Sequence, residues 1–181
     1  MITFDRRSFI VSMGALGAYY MNQPSNSFGS TAKTRAYVLG RSGGEHLVHF
    51  RDGSDIFIKV GSATGSEDLA AGTQQVKVGA GIPVHRHFRM DEAFSVLKGS
   101  GTVLLEDVRH PFEEGAEIFI PRNTWHGFEN PDHELLLSWV VSPAGLDGFF
   151  RDTCAPPGVP PKQWTKAEIN EIARKYATEF R

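Results

Sequence analysis

Residues 83–99, PVHRHFRMDEAFSVLKG, carry the densest chemistry in the chain. His85 and His87 stand one residue apart, and Glu92 follows five positions after the second. Side chains alternate faces along a strand, so His85 and His87 point the same way and Arg86 points opposite. If the chain turns through residues 88–91 and re-enters a strand, Glu92, Phe94 and Val96 share one face. Two imidazoles and a carboxylate aimed into one cavity suit a divalent metal. The chain has a single cysteine, Cys154, so neither an internal disulfide nor a Cys-based zinc site can form. Such a ligand set leaves coordination positions open for chemistry. A third histidine, His126, lies in GAEIFIPRNTWHGFEN just after a turn and at the start of a strand, with Phe128 and Asn130 on its face.

These side chains need strands to hold them, and residues 35–141 read as strands. RAYVLG, EHLVHF, DIFIKV and TQQVKV are short, rich in β-branched and aromatic residues, and bounded by Gly, Ser or Asp. EAFSVLKGSGTVLLED reads as a hairpin turning at residues 98–101. AEIFIP, HGFEN and ELLLSWVV continue the pattern, and no long helix interrupts it, so a sandwich or barrel is expected. From Ser142 the character changes. SPAGLDGFFRD places Ser142 as N-cap and Pro143 at the first helical position, with Leu146, Phe149 and Phe150 on one apolar face. A Pro-rich connector leads to a last helix opening with a capping box of Thr165 and Glu168, followed by a stripe of Ile169, Ile172, Ala173 and Tyr176. The stripe predicts a helix docked on the barrel or on a partner subunit, and a homodimer is one such arrangement.

At this point the chain resembles the cupin superfamily. The first cupin motif (glycine, five residues, His-x-His, three or four residues, glutamate, six residues, glycine) is met by Gly79, His85, His87, Glu92 and Gly99. The second (glycine, five residues, Pro-x-Gly, two residues, histidine, three residues, asparagine) is met by Gly115, Pro121, His126 and Asn130, with Asn123 where glycine is usual. Asparagine tolerates positive φ better than other non-glycine residues, so the turn survives. The resemblance implies an all-β fold, a jelly-roll barrel with C-terminal α-helices. It also implies one divalent transition metal per chain (Fe, Mn, Ni, Co, Cu or Zn), held by His85, His87, Glu92 and His126. Phe94, Phe128 and Trp139 are candidates for the substrate cavity or for ordinary core. Asp91 faces outward. His46, His49, His110 and His133 are expected to be solvated, and His46 and His49 face opposite sides of their strand.

The family spans oxygenases, oxidases, decarboxylases, isomerases, cyclases and binders, so fold leaves the reaction open. HRHFRMDEAFSVLKG, PRNTWHGFEN and SPAGLDGFF resemble single-domain members of the quercetin-dioxygenase-like type. That resemblance implies a dioxygenase acting on a small enolic or phenolic molecule with dioxygen, Glu92 serving as ligand and general base. The alternatives are a redox-neutral isomerase or cyclase, and a non-catalytic periplasmic metal or ligand binder.

Composition sets outer limits. Hydrophobic residues make up 40% and charged residues 22% of 181, which suits one folded domain rather than a disordered chain. A net charge of −2 with no basic face argues against nucleic acid and anionic membranes as partners. Residues 1–32 read differently. Arg6 and Arg7 precede Ser8, Phe9, Ile10 and an apolar run too short and glycine-rich to span a bilayer, which resembles a twin-arginine export signal. The domain reading is therefore 1–32 signal, 33–142 barrel and 143–181 helical extension, with a periplasmic or exported destination and cleavage after Ala32, or alternatively after Ala18. Replacing Arg6 and Arg7 by lysine is expected to trap the protein in the cytoplasm of a host with this pathway. Cell fractionation reads the outcome, and unchanged export would remove the assignment.

Overall fold

A computed structural model describes residues 35–181, and the export-signal reading at residues 1–32 lies outside them. The strands are β1 (Glu45–Val48), β2 (Asp55–Val60), β3 (Ala70–Val76), β4 (Ile82–His87), β5 (Asp91–Lys98), β6 (Gly101–Leu105), β7 (Val108–Phe112), β8 (Glu117–Ile120), β9 (His126–Glu129) and β10 (Leu135–Ser142). Then come α1 (Leu146–Thr153), α2 (Lys166–Lys175) and β11 (Thr178–Phe180). Six strands form one antiparallel sheet in the order β1-β2-β3-β10-β5-β8, and five form the other in the order β11-β4-β9-β6-β7. This is the jelly-roll architecture.

Period-two alternation decides what each strand contributes to the space between the sheets. Ile56 and Ile58 of β2, Val76 of β3, Phe94 and Val96 of β5, Ile118 and Ile120 of β8, and Leu135, Leu137, Trp139 and Val141 of β10 are buried in one core cluster. Gly72, in the middle of β3, explains how three central strands come so close. A Cβ there would stand 2.3 Å from the Phe57 carbonyl oxygen and 2.5 Å from the Trp139 ring.

Several local expectations are corrected. Residues 35–40 form no strand, and Val38 is 97% exposed. Residues 98–101 do turn, with Gly99 at φ 93°, but β5 and β6 do not pair. β5 lies between β10 and β8 in one sheet, and β6 between β9 and β7 in the other. The turn is a corner between sheets, because a tight reversal fixes direction and not hydrogen-bonding partner. Helix α1 starts three residues later than expected, with Gly145 as N-cap. Ser142 is still the last residue of β10, opposite Asp91, and its hydroxyl donates to the Asp68 carbonyl. The α1 face is as expected, with Leu146, Phe149 and Phe150 buried.

The α2 capping box forms as read: Thr165 N donates to Glu168 Oε2 at 2.9 Å, and Glu168 N donates to Thr165 Oγ1 at 3.3 Å. Ile169 and Ala173 are buried, and Ile172 and Tyr176 pack against the core, so the helix is docked on its own chain. The segment after residue 142 is not purely helical. Its end, β11, pairs antiparallel with β4 and completes the five-stranded sheet. Gly72→Ala is expected to lose about 1–3 kcal/mol, the usual result of forcing atoms into a packed core. In a chain of this size that is roughly 2–4 °C of melting temperature per kcal/mol, readable by thermal denaturation.

Candidate metal centre

The centre is built from both sheets. In β4 the inward positions are His85 and His87, and β9 sets His126 directly across from His85. Glu92 arrives from the other sheet, on β5, between Val141 of β10 and Ile120 of β8. Residues 88–90 make the crossing between β4 and β5. Asn123 makes the approach to β9: it adopts φ 68°, the conformation expected of it, and its N–H donates to the His87 carbonyl at 2.7 Å. The four side chains offer ligand atoms that all lie within 4.8 Å of one another, and all four are buried.

Hydrogen bonds fix which nitrogen of each ring faces inward. His85 Nδ1 is 2.8 Å from the Pro83 carbonyl, and His126 Nδ1 is 2.9 Å from the Thr124 carbonyl. A carbonyl only accepts, so both Nδ1 atoms carry a proton, and in the neutral rings both Nε2 atoms present a lone pair. The Thr178 hydroxyl donates to the Tyr176 carbonyl at 3.1 Å, leaving its oxygen to accept from His87 Nδ1 at 2.8 Å. All three Nε2 lone pairs therefore face the centre.

Two of those lone pairs meet the Glu92 carboxylate, with Oε2 3.1 Å from His87 Nε2 and 3.2 Å from His126 Nε2. His126 Nε2 is fully buried with no hydrogen-bond partner among the described residues. Lone pairs facing an anion at these distances repel unless a cation lies between them. Two neighbouring donors about 2.1 Å from one metal, at a right angle, stand about 3.0 Å apart. The donor set and its spacing fit a divalent transition metal. Burial, then the neighbouring His126 and His87, hold His85 well below its usual range and hence neutral, as a ligand must be. Burial alone would raise the Glu92 carboxyl, and only positive charge at the facing His87 and His126 nitrogens overcomes it and holds the carboxyl below its usual range.

A cavity of about 390 Å³ adjoins the centre and has His85, His87 and Glu92 on its wall. Phe94, Leu146, Phe149 and Phe150 supply much of the rest. Phe94 belongs to the core cluster and also borders this cavity. Phe128 and Trp139 are core residues that do not border it. Phe128 packs edge-on against Phe94 at 4.9 Å and Phe112 at 5.8 Å, and Trp139 packs against Phe150 at 5.4 Å. Of the remaining histidines, His110 and His133 are exposed, and His46 is half-buried and bonded to Asp55. His49 is corrected: it is 4% exposed and lines the cavity, lying just after β1 on the same side as the buried Leu47. Asp91 is at the surface, bound bidentately by Arg122, which holds its carboxyl down at about 2.

A family profile described as a cupin domain matches residues 72–143, a span holding all four ligand candidates. Residues 72–143 carry a cupin domain. An uncharacterized protein of Aquifex aeolicus is 31% identical over 100 residues, covering 55% of this chain and 81% of that protein. Auxin-binding protein 1 of Arabidopsis thaliana is 33% identical over 86 residues, covering 42% of this chain and 43% of that protein. Among solved structures, an RmlC-like cupin from Shewanella frigidimarina matches with TM-score 0.54 at 21% identity, over 64% of this chain and 98% of that one. KdgF from Halomonas sp. matches with TM-score 0.50 at 24% identity, over 56% of this chain and 91% of that one. At these identities the structural likeness shows the fold.

What the cupin motifs do not contain is the support from β11. Thr178 lies opposite His87 and Phe180 opposite His85. The Phe180 ring stacks on the His85 ring at 5.1 Å and 22°. Arg181 and Arg86 both stack on Trp125, which fastens the end of β11 to the barrel. The motif TEF is three residues long and follows a helix, so no periodicity announces it. Outer groups that orient a metal-binding histidine typically contribute 10–100-fold to affinity. Thr178→Val is therefore expected to weaken divalent-metal binding by about that factor, while Thr178→Ser retains it. Metal titration with circular dichroism as a folding control reads both variants.

Proposed function

We propose that this cupin is a metal-dependent enzyme acting on a small organic molecule, with one divalent transition metal held by His85, His87, Glu92 and His126. The observation that carries the reading is the convergence of three buried imidazoles and one buried carboxylate beside a cavity whose wall includes His85, His87 and Glu92. A bound transition metal supplies Lewis acidity and, where it can change oxidation state, access to dioxygen chemistry.

The protein's own groups narrow the substrate. Glu92 is a carboxylate on the cavity wall, able to accept a proton, and the weak basicity of a carboxylate suits an acidic proton rather than an alcohol. An enolic or phenolic hydroxyl meets that condition. The phenylalanines of the wall exclude water and present flat surfaces to a planar ring. About 390 Å³ falls within the usual range for small-molecule sites. These features favour a dioxygenase of the quercetin-dioxygenase-like type over a redox-neutral isomerase or cyclase. In that reading the protein is exported folded, already carrying its metal.

One observation favours a second reading, a non-catalytic binder: a relative over 86 residues is auxin-binding protein 1, named for binding and not for a reaction. Glu92→Gln separates the readings. It keeps the side chain's shape but removes charge and base. The expected outcome is partial retention of metal, measured by elemental mass spectrometry, with oxygen uptake on a phenolic panel reduced about 100-fold or more beyond the loss of metal. Activity falling only in proportion to metal would leave Glu92 as a ligand alone. Absence of turnover by the metal-loaded wild type across the panel would favour the binder.

A further inference from the structure

The cavity wall holds a second polar group that the metal centre does not use. Arg51 lines the cavity, and its Nε and Nη2 are buried with no hydrogen-bond partner among the described residues. The nearest carboxylate oxygen, Asp52 Oδ2, stands 4.0 Å from Nη2, beyond hydrogen-bond reach. Asp52 is already engaged: Oδ1 accepts from Ser54 N and Ser54 Oγ, and Oδ2 accepts from Lys77 N. The Cys154 thiol near Arg51 is pushed up to about 11 by burial, so it supplies no counter-charge. Asp52 thus supplies a nearby counter-charge but no hydrogen bond, and buried guanidinium nitrogens left without acceptors are costly.

Its neighbours point to the same kind of guest. His49 Nδ1 accepts from Arg51 N at 3.0 Å, so the ring proton sits on Nε2, a neutral donor on a residue that lines the cavity. Burial, then Arg51, keep that ring neutral. Gln74 is 5% exposed and adds an amide to the same wall. Lys166 and Arg181 stand on the lining as well, both exposed. The one acidic side chain on the lining, Glu92, belongs to the histidine cluster.

We propose that Arg51, with His49 and Gln74, forms a carboxylate-recognition site, so that the substrate is a small monocarboxylate with an apolar or aromatic body. This rests on the reading of the cavity as a substrate site. One buried guanidinium flanked by neutral donors matches a single negative charge, and its fork matches the two oxygens of a carboxylate. Lys166 and Arg181, the other cations of the lining, are exposed, so the buried positive charge is single and matches a carboxylate better than a phosphate ester at about −1.5 to −2.

The test uses full-length protein, metal-loaded and metal-stripped, with benzoate, neutral benzamide and phenyl phosphate as probes, titrated by calorimetry. Benzoate is expected to bind at least about tenfold tighter than benzamide, and Arg51→Gln is expected to abolish that preference. Because a carboxylate can also ligate metal, the metal-stripped arm decides where it sits. Preference that survives stripping and depends on Arg51 supports the site, even if no metal is found in the native protein. Preference that vanishes on stripping and ignores Arg51 would place the carboxylate at the histidines and overturn it. Tighter binding of phenyl phosphate through Arg51 would overturn the substrate class, and absence of benzoate binding at about 10 mM would overturn the site. Should Arg51→Gln fail to fold, Arg51→Lys keeps the charge without the fork. It is expected to lose several-fold affinity for benzoate and none for benzamide, and an unchanged benzoate affinity would overturn the proposal.

Discussion

A carboxylate buried among imidazole lone pairs is the constraint on which this molecule turns. Glu92 is 2% exposed, and taking an isolated carboxylate out of water is prohibitive unless cations or donors surround it. The rings that face it have their Nδ1 protons committed elsewhere, to Pro83, Thr124 and Thr178. They cannot satisfy the carboxylate as neutral donors. The arrangement is self-consistent only with positive charge at its middle, a metal ion or added protons. The barrel spends two sheets on it, since Glu92 comes from the six-stranded sheet and all three histidines from the five-stranded one.

That division explains why distant parts of the chain matter at one point. Relative displacement of the sheets would separate Glu92 from the histidines, so the packing between them is part of the site. Trp139, Phe128 and Phe94 fill the space between the sheets, and the Gly72 backbone lies against Trp139. The C-terminal segment adds a further tie. Helix α2 carries the chain back to β4, where β11 supplies a hydroxyl to one ligand and an aromatic face to another. The extension beyond the cupin motifs is thus part of the framework of the centre.

Two ionised groups stand on the inner wall of the cavity with unequal support. Glu92 is matched by the centre it belongs to, whereas Arg51 is left with two unpartnered nitrogens. Proteins seldom bury a guanidinium in that state. The imbalance gives an otherwise apolar cavity a direction, with acceptor chemistry at Glu92 and donor chemistry at Arg51, His49 and Gln74.

Much of this was legible in the residues alone. His85, His87 and Glu92 are joined by a short turn between strands, and strand alternation is a local rule, so their shared orientation follows from spacing. Asn123 at positive φ and the Thr165–Glu168 capping box are local too, and both stand as read. Tertiary structure decided whatever depends on partners far apart in sequence. Lys98–Gly101 looks like a hairpin from within, yet strand pairing is settled by which edges meet, and those edges belong to β8, β9 and β10. Phe94, Phe128 and Trp139 have the same character in the sequence, but only Phe94 borders the cavity. His49 and Arg51 look like ordinary loop-side polar residues. They become cavity groups because α1 and the connector to α2 close over them, and no periodicity within a short window encodes that closure. Thr178 is the plainest case: 91 residues separate it from the histidine it orients, and only the fold brings a hydroxyl from the last strand to the ring of the fourth.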